Sequence, residues 1–305
     1  MRRWLIIMSV LVWAWSGHAQ TFQIVSYNVE NLFDYTHDTL RNDYEYLPDG
    51  LRHWTRTRYW HKTEQIARVI ANIGEWKTPD VIGLCEVEND YCVQGVCRKL
   101  KHANYRYLHY ESEDERGIDV ALLYLPKRFV LIDSAALYVD LGRDKTRDIL
   151  YAAGIIPSGD TLHVMMCHLP SMLGGSKASE WKRKAAKAVI QRKVDSLISH
   201  FPNAKIVVMG DMNSSPQDDI RGLHNRMTEL PACEGSHKWQ GIWSYLDQFY
   251  VSPAIDSIAE VQIYSPMWLL ERDEKYLNYK PLRTFNGFHY QYKGFSDHLP
   301  IILSW

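Results

Sequence analysis

Polar side chains recur where short apolar segments end in this 305-residue sequence. The clearest case is Gly210-Asp211-Met212-Asn213, which follows the apolar run 204–209. A carboxylate at the end of a strand can bind a metal or orient a water, and an amide two residues later can donate to an oxyanion. Asp, Asn, Ser and Pro after a strand are also ordinary turn residues, so this stretch alone favours a turn over a functional site.

The same arrangement recurs along the chain. Other predicted strands end at or near Asn28, Glu86 and His168, a further strand carries Asp247, and Asp297-His298 precedes the last strand. Each has an ordinary alternative: Asn28 could cap a turn, Glu86 could cap a helix, and a lone histidine is more often a hydrogen-bonded core residue. Together they offer oxygen ligands, two imidazoles and amides, without a recognised nucleophile elbow. This inventory favours a hard cation such as Mg²⁺ with a water nucleophile.

The elements that would position these residues are mostly strands. Apolar, β-branched runs predict strands at 22–27, 81–85, 105–110, 117–124, 129–139, 148–156, 161–167, 204–209, 243–251, 259–264 and 301–303. Apolar spacing predicts helices at 63–73, from about residue 88, and after Gly175. The segments 36–60, 217–240 and 266–294 are expected to be loops. Because composition does not change along the chain, we expect one α/β domain over residues 20–305.

Composition indicates how a phosphate-bearing substrate could be attracted. Hydrophobic residues make up 46% of the chain, which fits a sizeable core, and the net charge is -1. Without a global basic field, a phosphate-bearing substrate must be attracted by local cations. The long predicted helix has a basic side formed by Lys182, Arg183, Lys184 and Lys187. We expect this side to be a solvated face, with substrate binding as the alternative.

The first 19 residues have the pattern of a signal peptide. A basic start, Met1-Arg2-Arg3, precedes an apolar run at 4–15, and Gly17 and Ala19 occupy the small-residue positions before a cleavage site. The alternative is an uncleaved membrane anchor, although the run is short for one. We therefore expect an exported protein, periplasmic or secreted, with a soluble mature chain. No feature indicates an obligate protein partner, and we expect a monomer.

The five cysteines do not form a disulfide framework. Cys85 and Cys167 lie in apolar runs and are expected to be buried thiols. Cys92 and Cys97 could pair if their segment is a loop, but a five-residue offset would point them apart on a helix. No cysteine pair has the spacing of zinc ligands.

Seven short motifs resemble, in order, those of the endonuclease/exonuclease/phosphatase superfamily. They are Ser26-Tyr27-Asn28-Val29-Glu30-Asn31, Leu84-Cys85-Glu86-Val87-Glu88-Asn89, Gly117-Ile118-Asp119-Val120-Ala121, Cys167-His168-Leu169-Pro170-Ser171, Gly210-Asp211-Met212-Asn213, Leu246-Asp247 and Ser296-Asp297-His298-Leu299-Pro300. The resemblance extends from about Phe22 to Ser304 and is greatest to secreted bacterial members of that superfamily.

The resemblance implies a deoxyribonuclease I-like, four-layer α/β/β/α sandwich with two mostly antiparallel sheets flanked by helices. It also implies the role of each matching residue. Glu86, Asn28 and Asp297 match the Mg²⁺ ligands, with Mn²⁺ as a possible substitute. Asp211 and Asn213 match the residues that orient water and bind phosphoryl oxygens. His298 matches the acid–base or phosphate-contacting histidine, Asp247 the carboxylate that orients it, and His168 a second phosphate-contacting histidine.

The substrate stays open at this stage. The resemblance favours a Mg²⁺-dependent phosphodiesterase, most simply an endonuclease-type nuclease acting on nucleic acid. The alternatives are a phosphatase or phospholipase C-like enzyme for an inositol phosphate or phospholipid, and a catalytically idle binding protein. Several polar residues near the motif loops are candidates for shaping a substrate pocket: Arg116, Asp119, Ser171, Lys177 and Arg283.

Overall fold

A computed structural model describes residues 21–305, except for 75–76, 173–174, 218 and 232–233. The predicted signal peptide and Cys233 therefore lie outside the described residues. Within the described ranges, none of the helices combines the length and apolar content that a membrane crossing requires. The four cysteines described are free thiols, and Cys92 and Cys97 lie on one helix, as the helical alternative predicts.

The described elements alternate between strands and a few helices. The strands, in chain order, are β1 (Gln23–Leu32), β2 (Val81–Val87), β3 (Arg106–His109), β4 (Asp119–Tyr124), β5 (Val130–Leu137), β6 (Ile149–Ile155), β7 (Thr161–His168), β8 (Lys205–Asp211), β9 (His224–Asn225), β10 (His237–Trp239), β11 (Ile242–Ser244), β12 (Asp247–Val251), β13 (Glu260–Ile263), β14 (Leu270–Asp273), β15 (Asn278–Pro281), β16 (Phe285–Asn286), β17 (His289–Tyr290) and β18 (Ile301–Ser304). The helices are α1 (Arg56–Ile73), α2 (Asp90–Lys99), α3 (Ser176–His200) and α4 (Pro253–Asp256), with 3-10 turns at Tyr44–Tyr46, Arg226–Glu229 and Met267–Leu269.

Two six-stranded sheets form the centre of the molecule. Their strand orders are β13-β18-β1-β2-β4-β3 and β5-β6-β7-β8-β12-β9. Each sheet contains one parallel pair, β1 with β2 and β7 with β8, and its other pairs are antiparallel. The helices α1 and α3 are the crossover connections of these two parallel pairs.

Side chains alternate between two buried faces along the central strands. On β8, Val207 and Met209 face the other sheet, whereas Ile206 and Val208 pack in the cluster that contains Ile190 of α3. A second outer cluster joins α1 and α2 to the first sheet. Strands buried on both faces read as continuous apolar runs, which explains their visibility in the sequence. The predicted four-layer α/β/β/α sandwich is confirmed.

Several element boundaries differ from the sequence-based expectation. Helix α1 begins at Arg56 rather than residue 63, because Tyr59 extends its buried stripe and Thr55 caps it by accepting from the Arg58 N–H. Strand β1 continues past Asn28 to Leu32. The predicted strand 243–251 is interrupted at 245–246, and the supposed loops 217–240 and 266–294 contain short strands that pair as hairpins.

Candidate active site

Glu86 lies at a β-bulge near the end of β2. Cys85 and Val87 pair with consecutive residues of β4, so Glu86 is an extra residue on its strand. Its φ is 65°, a left-handed conformation that costs a non-glycine residue about 1–2 kcal/mol. A bulge redirects the side chain that it carries. The Glu86 carboxylate consequently turns towards Asn28 on the adjacent strand β1, whose Nδ2 donates to Glu86 Oε1 at 3.4 Å.

The second sheet places three further residues side by side. His168 of β7 pairs in register with Asp211 of β8, which in turn pairs with Asp247 of β12. The residue before Asp211 must be glycine, because a Cβ on Gly210 would lie 1.8 Å from the Cys167 carbonyl oxygen, and Gly210 has a φ of 133°. This close approach of two backbones aligns the ends of β7 and β8 at one level.

The residues of the two sheets meet at their shared edge. Asn28 Nδ2 donates to Asp211 Oδ2 at 3.1 Å, which joins β1 to β8 across the interface between the sheets. His168 Nε2 lies 3.8 Å from Glu86 Oε1 and 3.7 Å from Asp211 Oδ2. Four of the residues predicted from the sequence therefore form one contiguous cluster, although 183 positions separate the first from the last.

His298 and Asp247 form a buried pair beside this cluster. His298 Nδ1 lies 2.6 Å from Asp247 Oδ2, and the Ser236 hydroxyl donates to the same oxygen at 2.6 Å. Burial alone would lower the pKa of His298, but Asp247, Asp297 and Asp211 together raise it well above its usual range. With Nδ1 held by Asp247, the Nε2 atom faces Asp211 Oδ2 at 3.9 Å. The ring can therefore donate from Nε2 to a group bound at the cluster.

His168 differs from His298 in its electrostatic surroundings. Burial lowers the pKa of His168 well below its usual range, and Arg147, Arg116 and His298 act in the same direction. Its Nδ1 atom is buried without a hydrogen-bond partner among the described residues. The free protein thus holds a neutral imidazole whose Nε2 is directed at the two carboxylates.

The cluster has the donor set of a divalent cation site. Burial raises the pKa of Asp211 to about 7, with Asp247 and Glu86 adding to the rise. Among the described residues, no lysine or arginine forms an ion pair with Glu86 or Asp211. Two adjacent, largely buried carboxylates are costly when histidine is their only cationic neighbour in the described part of the chain, and oxygen atoms are the ligands that Mg²⁺ prefers. The residues present therefore fit a hard divalent cation.

Two of the predicted metal ligands, Asn28 and Asp297, form hydrogen bonds to other side chains. Asn28 directs its amide nitrogen to the carboxylates, and its Oδ1 accepts from the Glu30 N–H at 3.0 Å, so in this orientation it positions Glu86 and Asp211. Asp297 accepts from Arg283 at 3.1 Å, and its ligand atom lies within 4.8 Å of those of His237 and His298.

Asn213 is held in a left-handed conformation with a φ of 46°. Its backbone N–H donates to Asp211 Oδ1 at 2.9 Å, and its Nδ2 donates to the Leu169 carbonyl at 3.1 Å. The Asn213 amide is thereby fixed beside Asp211 and the end of β7.

Residues 23–305 match the Endonuclease/Exonuclease/phosphatase family. The chain belongs to this family. A comparison with curated proteins finds no match. Among solved structures, TDP2 from C. elegans is 17% identical with a TM-score of 0.62, and the match covers 93% of this chain and 75% of that chain. D. rerio TDP2 complexed with single strand DNA product has a TM-score of 0.54, 17% identity and coverages of 93% and 98%. A mannosyl-6-phosphatase from Bacteroides thetaiotaomicron has a TM-score of 0.57, 16% identity and coverages of 92% and 98%.

In this member of the Endonuclease/Exonuclease/phosphatase family, the residues predicted to shape a substrate pocket lie at different places relative to the cluster. Arg116 reaches the site, because it donates to Asn31 Oδ1 at 3.4 Å and the Asn31 N–H donates to Glu86 Oε2 at 2.8 Å. The Asp119 carboxylate is buried and accepts hydrogen bonds from the hydroxyl and the N–H of Ser112. Arg283 contacts Asp297. Ser171 and Lys177 are exposed.

Several residues of this family member escape detection from the sequence. The His237 ring packs against His298 with centroids 4.7 Å apart, and Ser236 orients Asp247. Behind the site, buried Lys62 donates to Thr284 Oγ1 and to the Phe295 carbonyl. The only sequence signal for His237 is its position between turn residues and the strand that carries Asp247.

Two cavities flank the cluster. One of about 910 Å³ lies between α3 and the loop after Asn213, and its lining includes Arg183, Lys187 and Trp243. The basic side of α3 is therefore only partly the solvated face that we expected. Arg183 is buried and donates to the Pro170 carbonyl, and Lys187 donates to Ser214 Oγ. The other cavity, of about 310 Å³, opens beside Asp297.

Proposed function

We propose that this chain is a metal-dependent phosphoesterase that cleaves a phosphodiester with water as the nucleophile, and that it acts as a nuclease. The observation that carries the proposal is the meeting of Glu86 and Asn28 from one sheet with Asp211 from the other and with His298 from the segment before β18. Family membership supports hydrolysis of phosphoesters as the reaction type.

The proposed mechanism follows from the contacts in the cluster. Glu86 would hold the cation, for which we propose Mg²⁺ with Mn²⁺ as a substitute, while Asn28 positions the ligands and Asp297 contributes directly or through water. The chemistry that such a cation supplies is neutralisation of charge on the phosphoryl oxygens. Asp211 would orient the attacking water, and the fixed amide of Asn213 lies where it can bind a phosphoryl oxygen.

The two histidines would act on the phosphoryl group as hydrogen-bond donors. Asp247 holds His298 at Nδ1, so its Nε2–H can donate to an oxygen on which charge develops. His168 would donate from Nε2 on the other side of Asp211. Both donors are buried and oriented before substrate binds, which reduces the reorganisation needed in the transition state.

A second candidate is a phosphatase that acts on a compact phosphomonoester. The two concave, partly open cavities beside the cluster favour this alternative, since a small ligand buries more of its surface in a cavity than on a flat surface. The structural neighbours include both a protein complexed with a DNA product and a mannosyl-6-phosphatase, and their identities are too low to choose between the two.

The experiment compares hydrolysis of a single-stranded oligonucleotide, duplex DNA, RNA, bis(p-nitrophenyl) phosphate, p-nitrophenyl phosphate, inositol phosphates and sphingomyelin. Each is offered to the purified protein with Mg²⁺, Mn²⁺ or EDTA. We expect metal-dependent cleavage of diesters that E86Q abolishes and that H298A lowers by about 10²- to 10⁴-fold. The control is H224A, which removes an exposed histidine that also pairs with an aspartate, Asp256, at 2.8 Å.

Two results would contradict the proposal. Turnover that persists in EDTA and in E86Q would exclude the metal-assisted mechanism at this cluster. A folded protein that hydrolyses no member of the panel with either metal would favour the binding-protein alternative. Preference for p-nitrophenyl phosphate over all diesters would select the phosphatase candidate.

Export remains a separate proposal. We propose that residues 1–19 are removed as a signal peptide and that the mature protein is periplasmic or secreted. N-terminal sequencing of the protein recovered from a bacterial host should find Gln20 as the first residue, and a retained Met1 would contradict this proposal.

A further inference from the structure

The smaller cavity, which we call the hairpin cavity, opens beside Asp297, the residue that immediately precedes His298. It has a volume of about 310 Å³ and lies between the hairpins β10–β11 and β14–β15. Its lining includes Trp239, Tyr276, Lys275, Lys280 and Arg283, together with Asp297 of the cluster. A substituent of a phosphoester bound at His298 can therefore extend into this cavity.

The hairpin β10–β11 connects the hairpin cavity directly to His298. His237 forms a β-bridge to His298, and Trp239 follows two residues later on the same strand. Alternate residues of a strand share a face and lie about 7 Å apart. Trp239 is thus on the same face of β10 as His237, whose ring packs against His298 with centroids 4.7 Å apart.

The hairpin is fixed in place without a ligand. Its turn residues Gln240 and Gly241 have φ values of 48° and 84°, as a two-residue type I′ turn requires. Lys238 Nζ donates to the Tyr279 carbonyl at 2.7 Å and to Asn278 Oδ1, which links β10 to β15. A Cβ on Gly241 would meet the Tyr276 ring at 2.6 Å, so the turn rests on that ring. A preorganised surface loses little freedom when a ligand binds.

The chemistry of the cavity combines an exposed ring with positive charge. The Trp239 side chain is 64% exposed and Tyr276 is 36% exposed, although the chain has a large core in which such rings could be buried. Lys238, Lys275, Lys280 and Arg283 line the cavity together with only two carboxylates, those of Asp273 and Asp297. Aromatic faces stack on nucleobases and nearby cations neutralise phosphates, which is the combination used by single-strand-binding surfaces.

We propose that the hairpin cavity is a nucleotide subsite, in which Trp239 stacks on the base next to the scissile phosphate and the lysines contact the following phosphate. The proposal rests on the phosphoesterase function proposed above and narrows its substrate to single-stranded nucleic acid. Trp239 is then a specificity-determining residue rather than a catalytic one.

Binding in EDTA tests the subsite without hydrolysis. Fluorescence anisotropy would measure the affinity of the full chain for labelled hexathymidylate and for an abasic hexamer with the same phosphates. We expect W239A to weaken binding of hexathymidylate about tenfold, as loss of one stacked base predicts, and to leave the abasic hexamer unchanged. W239F should retain most of the affinity. The matched control is I242A, because Ile242 pairs with Trp239 across the hairpin and is 73% exposed but does not line the cavity.

The outcomes separate this inference from the proposed function. An equal effect of W239A on both hexamers, or no effect on either, would overturn the stacking subsite. Equal losses in W239A and I242A would also overturn it, in favour of an apolar docking surface. If wild type hydrolyses bis(p-nitrophenyl) phosphate but does not bind hexathymidylate, the inference fails and the phosphoesterase function stands. Base-dependent binding without hydrolysis in Mg²⁺ or Mn²⁺ would support the subsite and contradict the phosphoesterase.

Discussion

Replacing Asp247 by asparagine tests whether His298 depends on the orientation that this carboxylate provides. Asp247 Oδ2 lies 2.6 Å from His298 Nδ1, and the Asp247 side chain is fully buried. Hydrogen bonds to charged groups contribute about 1.5–3 kcal/mol. Each 1.36 kcal/mol of transition-state stabilisation that is lost lowers a rate about tenfold. We therefore expect kcat of D247N to fall by about 10- to 150-fold.

The assay is steady-state hydrolysis of bis(p-nitrophenyl) phosphate at saturating Mg²⁺, with kcat and KM determined separately. KM should change little, because Asp247 is fully buried behind the histidine. The matched control is D256N, which makes the same change in the exposed pair of Asp256 with His224 and should leave kcat unchanged. A folded D247N protein with kcat within twofold of wild type would refute the reasoning.

Three further predictions concern stability, each measured as the free energy of unfolding in urea. Burial raises the pKa of Asp119 from 3.8 to about 6, so the folded state binds more protons between these values. The free energy of unfolding of wild type, relative to that of D119N, should therefore fall by about 3 kcal/mol as pH rises from 3.5 to 7. Burial and Asp297 raise the pKa of Glu30, and the buried Lys62 cation offsets part of this rise. K62M should therefore destabilise by about 3–5 kcal/mol, and the K62M/E30Q double variant should recover part of this loss. G210A should cost about 4 kcal/mol or more, because its Cβ would overlap the Cys167 carbonyl.

Each of these predictions has a contrary result. Parallel pH profiles for wild type and D119N would show that the Asp119 carboxylate is not responsible for the pH dependence. Strictly additive effects of K62M and E30Q would show that the two side chains do not interact. A G210A protein as stable as wild type would mean that β7 and β8 can separate at this level without cost.

The part of the structure that follows from local patterns could be predicted from the sequence. Strands such as β8 are buried on both faces, so their apolar runs are continuous, and the residue type at each strand end is read directly, as at Asp211. The Endonuclease/Exonuclease/phosphatase motifs then indicate the architecture, which the sheets confirm. The assignment of Asp119 to substrate binding relied on position alone, and the structure instead bonds its carboxylate to Ser112.

The remainder depends on contacts between distant residues. His237 lies in a three-residue strand that is too short to show periodicity, and its importance comes from a bridge to His298, 61 residues later. Lys62 occupies a polar position of α1, and its partners Thr284 and Phe295 are more than 220 residues away. The bulge that turns Glu86 towards Asn28 is a property of strand pairing and leaves no mark in residues 81–87.

Under the proposed role of Glu86 as a cation ligand, its left-handed backbone places catalysis and folding in opposition at one position. A φ of 65° suits glycine, which would adopt it without the cost of about 1–2 kcal/mol that glutamate incurs. A library of variants selected only for heat resistance should therefore accumulate glycine or asparagine at position 86, and the survivors should be inactive. Selection for activity should hold glutamate there at the expense of melting temperature. The residue at position 86 would thus report which of the two pressures a homologous sequence has experienced.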